Sequence, residues 1–251
     1  MIHDSDEITT ARQTTLSFYA SAPHACSYLP DQTAISVFAD PSINMTNAIY
    51  SKLAEIGFRR SGNHVYAPNC QQCHACIPVR IPVDRFQPSR NQRRTVARNQ
   101  NVVVTQRPAR YYPQHFQLYK RYLSQRHTNG GMDNPTPESY LDFLTSQWSN
   151  TSFFEFTLDD HIVAVSVVDH LPQALSAVYT FFDPDYSDLS LGNYAILWLI
   201  DEAHQLGHQW LYLGYWIQES RKMAYKDQYR PLEALLNGCW QRFSVDDTIE
   251  T

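Results

Sequence analysis

Three β-rich runs follow one another in the second half of the chain, and they constrain its fold more than any other feature. They span residues 152–158, 161–169 and 174–182, and two short turns join them. Runs of this length with short connections predict an antiparallel meander. A helical pattern over residues 193–206 and a strand over 209–213 come next. This order predicts an α/β (α+β) protein in which a helix crosses over the sheet after the third strand.

The first half of the chain contains shorter elements. Apolar periodicity predicts a helix over residues 44–56, and the Ser-Gly-Asn turn at residues 61–63 predicts a hairpin. The run at residues 77–86 contains Pro78 and Pro82, which limit it to an irregular or edge strand because proline cannot donate a backbone hydrogen bond.

Four further segments have the spacing of amphipathic helices. They lie at residues 89–99, 113–126, 136–148 and 231–242. We place a boundary near residue 100, between an N-terminal cysteine-bearing domain (residues 1–100) and a larger C-terminal domain (residues 101–251).

The charge of the chain is divided unevenly along its length. The formal net charge is -5, from 20 Lys and Arg against 25 Asp and Glu. Between residues 80 and 126, however, eleven basic residues stand against the single acid Asp84. An asymmetry of this size predicts a surface that faces a polyanion.

Composition and the N-terminal sequence allow a prediction of the cellular location. At 43% hydrophobic and 18% charged residues, the chain is too apolar to be disordered as a whole, and its apolar runs are far shorter than a membrane helix requires. The N-terminal sequence MIHDSDEITT is acidic and polar, unlike a secretory or transit peptide. We therefore expect a cytoplasmic location and no membrane partner.

Four of the five cysteines fall in the first 76 residues. Cys70, Cys73 and Cys76 form two consecutive C-x2-C steps, and Cys26 lies upstream. Four thiolates can close a tetrahedral zinc site or hold an iron–sulfur cluster. The alternative is a group of small buried thiols in a tight loop without a metal.

The predicted helix at residues 89–99 has a basic face. It carries Arg90, Arg94 and Arg98 at helical spacing, with Arg93 beside them. Arginine reaches paired phosphate oxygens, so this face predicts contact with a nucleic-acid backbone. Almost no acidic residues are interleaved, which disfavours a merely solvated face.

Aromatic and cationic side chains alternate after the last strand of the predicted sheet, where α/β folds commonly place ligands. They are Tyr215, Trp216, Lys222, Tyr225, Lys226 and Arg230. The motifs G-x-x-x-x-G-K-[ST], G-x-G-x-x-G and H-E-x-x-H do not occur in the sequence. An ATPase, a dinucleotide enzyme and a zincin are therefore disfavoured.

Several motifs occur together over roughly residues 15–240. They are Cys26-x-Tyr28-Leu29-Pro30, residues 70–80, Ser89-x2-Gln92-Arg93-Arg94, Arg126-His127, residues 176–184, and residues 213–217 with 222–226. Together they resemble the arginyltransferase family of tRNA-dependent N-terminal aminoacyltransferases, and most closely its short bacterial branch, the leucyltransferases that act on Asp and Glu.

The resemblance implies a reaction and a fold. An aminoacyl-tRNA, with leucine favoured by the chain length, donates its amino acid to the N-terminal Asp or Glu of a protein, which is then degraded. The implied fold is a GNAT-like acyltransferase domain with a central, mainly antiparallel sheet, preceded by a smaller cysteine-bearing domain. No cofactor is required for the transfer, since the acyl donor is an activated ester.

Residue type and position suggest which side chains bind the substrates and assist the reaction. The attacking α-amine has a pKa near ~8, so the enzyme mainly orients the substrates and stabilises an oxyanion. Tyr179, Tyr215 or a backbone N–H near Gly214 could supply the oxyanion donor, and Asp169 or Glu219 could relay the proton. The remaining candidates are cations for the acceptor's carboxylate and a stacking surface for the terminal adenosine, namely Lys222, Lys226, Arg230, Arg80 and Trp216.

Three other functions remain open at the sequence level. The first is the same transfer from arginyl-tRNA. The second is a coenzyme A-dependent N-acyltransferase, although the single glycine at residues 187–192 fits a pyrophosphate poorly. The third is a non-enzymatic zinc-dependent RNA-binding module, which would not explain the aromatic and cationic residues after the last strand.

Overall fold

The structure is a computed structural model that describes residues 16–126 and 134–249. His127, from one of the motifs above, lies outside these residues, as does the N-terminal segment on which the expected location rests. The strands are β1 (Phe18–Ala20), β2 (His24–Ala25), β3 (Thr33–Ala34), β4 (Ser36–Ala39), β5 (Arg59–Ser61), β6 (His64–Pro68), β7 (Ile77–Pro82), β8 (Val103–Pro108), β9 (Thr151–Leu158), β10 (His161–Leu171), β11 (Ala174–Phe182), β12 (Trp210–Trp216), β13 (Leu232–Leu236) and β14 (Cys239–Phe243). The α-helices are α1 (Asn47–Glu55), α2 (Arg90–Arg98), α3 (Pro113–Arg126), α4 (Pro137–Leu144) and α5 (Leu191–Gln205).

An eight-stranded sheet organises the fold, in the order β14-β13-β7-β12-β11-β10-β9-β8. Its pairings are antiparallel except for β11 with β12, which run parallel. The predicted meander is confirmed as β9, β10 and β11. The predicted crossover is confirmed as α5, which connects the two parallel strands. The mixed class and the mainly antiparallel sheet are therefore as the sequence predicts.

Helices cover both faces of this sheet, because successive side chains of a strand point to opposite sides. On β9, Phe154 and Phe156 belong to the core that contains α5, and α2 packs against α5 from outside. Phe153, on the opposite face of the strand, joins the second core with side chains of α3 and α4.

A four-stranded sheet with the order β1-β4-β6-β5 lies beside the large one. Its core includes Tyr50 and Leu53 of α1, together with Leu171 and Tyr212 of the large sheet. The two sheets thus share buried side chains, and this junction is where the candidate site forms. Among the described helices, none is long and apolar enough to cross a membrane.

The prediction of a C-terminal helix over residues 231–242 is wrong. This segment forms the antiparallel hairpin of β13 and β14. Asn237 and Gly238 connect the strands with φ values of 51° and 75°. An Asn-Gly pair with positive φ is a strong hairpin signal, because such a turn matches the twist of the two strands. The spacing of leucines in this stretch had suggested a helical face instead.

The prediction of an edge position for residues 77–86 is also wrong. Strand β7 lies inside the large sheet, between β12 and β13. Pro78 and Pro82 lie opposite Tyr215 and Trp210 of β12, and both fall outside the short ladder with β13, which covers only Val79 and Arg80. Although β7 precedes residue 100, it belongs to the same sheet as the meander.

Candidate active site

A small cavity lies where the two parallel strands of the large sheet move apart. The pairing of β11 with β12 covers only three residue pairs and ends at Ser176 and Tyr212. Between Tyr212 and Gly214, the register of β12 against β7 also shifts. The cavity that opens beyond this point has a volume of ≈ 120 Å³. Its lining is Tyr28, Tyr50, Arg59, Arg60, Tyr66, Ser176, Ala177, Val178, Leu213, Gly214, Tyr215, Met223 and Lys226.

Arg59 of β5 contributes a guanidinium that is only partly bonded. The residue is 6% exposed. Its Nη1 donates to the carbonyls of Phe58 at 2.7 Å and Ala54 at 3.4 Å. Its Nε and Nη2 are buried and have no hydrogen-bond partner among residues 16–126 and 134–249. The rings of Tyr212 and Tyr215 lie 5.0 and 5.8 Å from its central carbon, and they hold the cation without occupying those two N–H groups.

Arg60, the next residue, is fully bonded. Its Nε donates to Asp169 Oδ2 at 2.6 Å and its Nη2 to Oδ1 at 2.7 Å. Asp169 also accepts from Thr151 at 2.7 Å, and both charged side chains are fully buried. The predicted role of Asp169 as a proton relay is therefore corrected, because its oxygens are committed to a buried ion pair.

Lys226 supplies the second cation of the cavity. It is 5% exposed, and its Nζ donates to the carbonyl of Tyr215 at 2.6 Å. Burial, reinforced by the positive charge of Arg59, lowers the pKa of Lys226 to about 7. Gly214 lies close to both cations. A side chain at this position would begin 3.8 Å from Nζ of Lys226 and 4.0 Å from Nε of Arg59.

The three aromatic residues predicted for the site, Tyr215, Tyr179 and Trp216, lie in different surroundings. Tyr215 lines the cavity, but its hydroxyl donates to the carbonyl of Gly57 at 2.9 Å. Tyr179 lies in the aromatic core under α3 and α4 instead. Trp216 is 3% exposed and donates through Nε1 to the carbonyl of Ala224. The prediction that Trp216 stacks on a base is corrected, because neither face of its ring is open.

Two of the predicted substrate cations are engaged elsewhere. Arg80 is held between the rings of Trp210 and Trp240, at 4.1 and 4.2 Å, and its Nε donates to Glu233 at 2.8 Å. Arg230 pairs with Asp227 and donates to the carbonyl of Ser244. Both predictions are corrected, since these guanidiniums have internal counter-charges. Lys222 and Glu219 are exposed and do not line the cavity.

Cys76 lies near enough to the other three predicted cysteine ligands, Cys26, Cys70 and Cys73, to interact with them electrostatically. Burial and the thiols of Cys26, Cys70 and Cys73 raise the pKa of Cys76 to about 12, and Cys76 also acts on the pKa of Lys226. Within the part of the chain that the structure describes, no group of three or more His, Cys, Asp or Glu residues has the arrangement of a metal site. The occupant of this cluster stays a prediction.

Helix α2 presents the predicted basic face to solvent. Ser89 caps it and forms a reciprocal capping box with Gln92. All four arginines of the face are exposed, namely Arg90, Arg93, Arg94 and Arg98. The side chain of Gln92 donates to the carbonyl of Gln228 at 3.0 Å. This bond ties the basic helix to the 3-10 turn Ala224–Gln228, which carries Lys226.

Sequence reasoning missed Arg59, and it did not assign a role to Tyr28 or Tyr66. The only signal was the Arg59-Arg60 pair inside a short strand. Alternation places such neighbours on opposite sides of a strand, so both should need internal partners if both are buried. That argument indicates a special environment, but it does not say which arginine lacks a carboxylate.

A larger groove of ≈ 640 Å³ lies between α3 and the turn that joins β9 to β10. Its one arginine, Arg121, pairs with Asp183 and Asp185 at 2.8 and 2.7 Å. With Asp160 also in its lining, the groove has three carboxylates against one arginine. The smaller cavity is chemically the more distinctive one, because two of its three basic side chains, Arg59 and Lys226, have no carboxylate partner among the described residues.

Comparison with known proteins gives matches over most of the chain. The family described as "Arginine-tRNA-protein transferase, N terminus" matches residues 24–94, and its C-terminal counterpart matches residues 114–236. An aspartate/glutamate leucyltransferase of Pseudomonas paraeruginosa (strain DSM 24068 / PA7) is 49% identical over 225 residues, which cover 90% of this chain and 96% of the relative. The enzyme of the same name from Pseudomonas syringae pv. tomato shows the same identity and coverage. Among solved structures, FemX matches with a TM-score of 0.45 and 8% identity, over 72% of this chain and 63% of its own.

Proposed function

Because the chain belongs to the arginine-tRNA-protein transferase family, we propose that it transfers leucine from leucyl-tRNA to the N-terminal Asp or Glu of acceptor proteins. Leucine, aspartate and glutamate appear in the name of the relatives that are 49% identical to it. The new N-terminal leucine marks the acceptor for degradation. The reaction takes place in the cytoplasm, where charged tRNA is available.

One observation supports this function beyond the relatives, namely the buried positive cavity beside Gly214. Arg59, Arg60 and Lys226 line it, Arg60 is paired with Asp169, and none of the described lining residues carries a carboxylate. Buried cations without a counter-ion favour an anionic partner. An acceptor that begins with Asp or Glu supplies an anion next to the amine that reacts.

The chemistry requires little more than positioning. The neutral α-amine attacks the ester carbonyl, so a C–N bond forms and the bond from the carbonyl carbon to the ribose oxygen breaks. The proton that the nitrogen loses balances the one that the released ribose hydroxyl gains. The energy is supplied by the ester, so the enzyme holds the two groups together and stabilises the oxyanion. We assign the oxyanion donor to a backbone N–H beside Gly214, since the Tyr215 hydroxyl is bonded to Gly57.

Leucyl-tRNA binding is assigned to the basic face of α2, and salt tests this. Each phosphate that a protein neutralises in a duplex steepens the plot of log affinity against log salt by about 0.9. Reversing Arg90, Arg94 and Arg98 to Glu should flatten that slope by about 2–3. Lys52→Glu, on the exposed face of α1, is the control and should leave the slope unchanged. Equal slopes for the triple variant and the wild type would place tRNA elsewhere.

The thiol cluster of Cys26, Cys70, Cys73 and Cys76 is proposed to hold zinc or an iron–sulfur cluster. Four cysteine sulfurs suit either group chemically, because a bound metal would stabilise them in the thiolate form. Such a group would act structurally, since the transfer needs no redox step. Metal analysis and an absorption spectrum after anaerobic purification distinguish zinc, iron–sulfur and no metal.

The direct test of the function is transfer from a charged tRNA. The purified protein is incubated with leucyl-tRNA or arginyl-tRNA and a peptide that begins with Asp or Glu, and the product mass is measured. We expect leucyl peptide only. Transfer from arginyl-tRNA alone would agree with the family but show that the transferred amino acid is arginine and not leucine. Absence of transfer from both, with acylation from acetyl-coenzyme A, would make the protein a coenzyme A-dependent acyltransferase.

A further inference from the structure

We propose that the Nε–Nη2 edge of Arg59 binds the side-chain carboxylate of the acceptor's first residue. This inference rests on the proposed function and names the group that recognises its acidic substrate. The first support is the state of Arg59 itself. Its Nε and Nη2 are buried without a partner in the described chain, and buried donors left unpaired are rare in native proteins because they are costly.

Arg60 shows in the same protein which group the Nε–Nη2 edge of a buried arginine binds. In Arg60 the same two nitrogens, Nε and Nη2, donate to the two oxygens of Asp169 at 2.6 and 2.7 Å. This is the side-on fork in which a guanidinium receives a carboxylate. Arg59 has the same pair of nitrogens, equally buried, without a carboxylate of the described chain. The group that completes it therefore comes from outside.

The size of the cavity selects which substrate group enters. A volume of ≈ 120 Å³ is below the 150 Å³ or so of an engineered cavity that holds one benzene molecule. A leucyl-adenosine is far too large for it, whereas the carboxymethyl or carboxyethyl group of Asp or Glu fits. The donor thus lies outside, and only the acceptor's side chain reaches Arg59.

The other cations do not compete for this role. Arg80 and Arg230 have internal counter-charges, and Lys222 is exposed. Lys226 reaches the cavity and donates to the carbonyl of Tyr215, but its compact ammonium cannot form the two-point fork that a guanidinium offers a carboxylate. Among these cations, Arg59 alone lies buried next to Gly214 with two nitrogens, Nε and Nη2, that have no hydrogen-bond partner in the described chain.

The test compares peptides that differ only in their first residue. Transfer from leucyl-tRNA is measured for Asp against Asn and for Glu against Gln, in the wild type and in Arg59→Gln. We expect kcat/KM for the acidic peptides to fall by about 100-fold. The slow rates for Asn and Gln should change little, so the preference for acid is lost. Lys52→Gln removes an exposed positive charge from the neighbouring α1 and should retain the wild-type preference.

Arg59→Lys keeps the charge but cannot form the fork, and it serves if Arg59→Gln does not fold. We expect its preference for Asp over Asn to fall by about 10-fold. A preserved Asp-to-Asn ratio in either folded variant would overturn the proposal. That outcome is distinct from failure of the proposed function, in which the wild-type protein itself would transfer leucine to none of the four peptides.

Discussion

Asp169→Ala is expected to lower the free energy of unfolding by about 3–5 kcal/mol, because it leaves the buried guanidinium of Arg60 without its counter-charge. Arg60 also donates to the carbonyl of Leu144 at 3.1 Å and to Thr151 at 3.2 Å. The ion pair therefore ties β5 of the small sheet to β10 and to the end of α4. Urea unfolding followed by tryptophan fluorescence measures the effect.

Two matched variants separate this cost from a general effect of losing charge. The double variant Arg60→Met with Asp169→Leu removes both charges and should lose less stability than Asp169→Ala, since no buried charge is left unpaired. Asp84→Ala breaks the exposed contact with Arg85, whose side chain is 59% exposed, and should change stability by less than about 1 kcal/mol. An Asp169→Ala protein as stable as Asp84→Ala would contradict the prediction.

Lys226→Met is expected to change how stability depends on pH. In the folded protein the pKa of Lys226 is about 7, against 10.5 for an ordinary lysine. Between these values the unfolded chain binds a proton that the folded protein lacks, so the free energy of unfolding rises with pH. The burial penalty is fully present below pH 7 and is lost as the pH approaches 10.5. Methionine fills a similar volume and has no such proton.

The measurement compares unfolding free energies of wild type and Lys226→Met at several pH values between 6 and ~10. Their difference should change on the order of several kcal/mol across this range, since one pKa unit corresponds to about 1.4 kcal/mol. The constant cost of removing the bond to the Tyr215 carbonyl does not affect this slope. Lys52→Met, at an exposed lysine, should parallel the wild type. Parallel curves for Lys226→Met as well would show that this lysine titrates normally.

Local patterns predicted the elements that local interactions determine. The strands of the meander are β-rich runs between short turns, and the capping box at Ser89 and the proline at the start of α4 mark helix starts. The hairpin of β13 and β14 was missed because leucines at positions 232, 235 and 236 also fit a helical face. There the Asn237-Gly238 turn outweighed the periodicity.

Some of the predicted site residues line one cavity, and others lie outside it. The end of β12 does carry a cavity, with Tyr215 and Lys226 among its lining residues. Trp216 and Arg230 adjoin the same segment but are buried in internal contacts. Arg59 enters from a different sheet, and no spacing along the chain connects it to Gly214.

The sequence by itself determined the order of the main elements, the concentration of positive charge and the family. These depend on residues near one another along the chain, or on motifs read in register. Only the tertiary structure decided which buried arginines of the sheets are paired with carboxylates, because those partners lie far away in sequence. Arg60 meets Asp169 across 109 residues, and Arg80 meets Glu233 across 153. Arg59 and Arg60 are chemically identical neighbours, and only packing gives Arg60 a carboxylate partner and leaves Arg59 without one in the described chain.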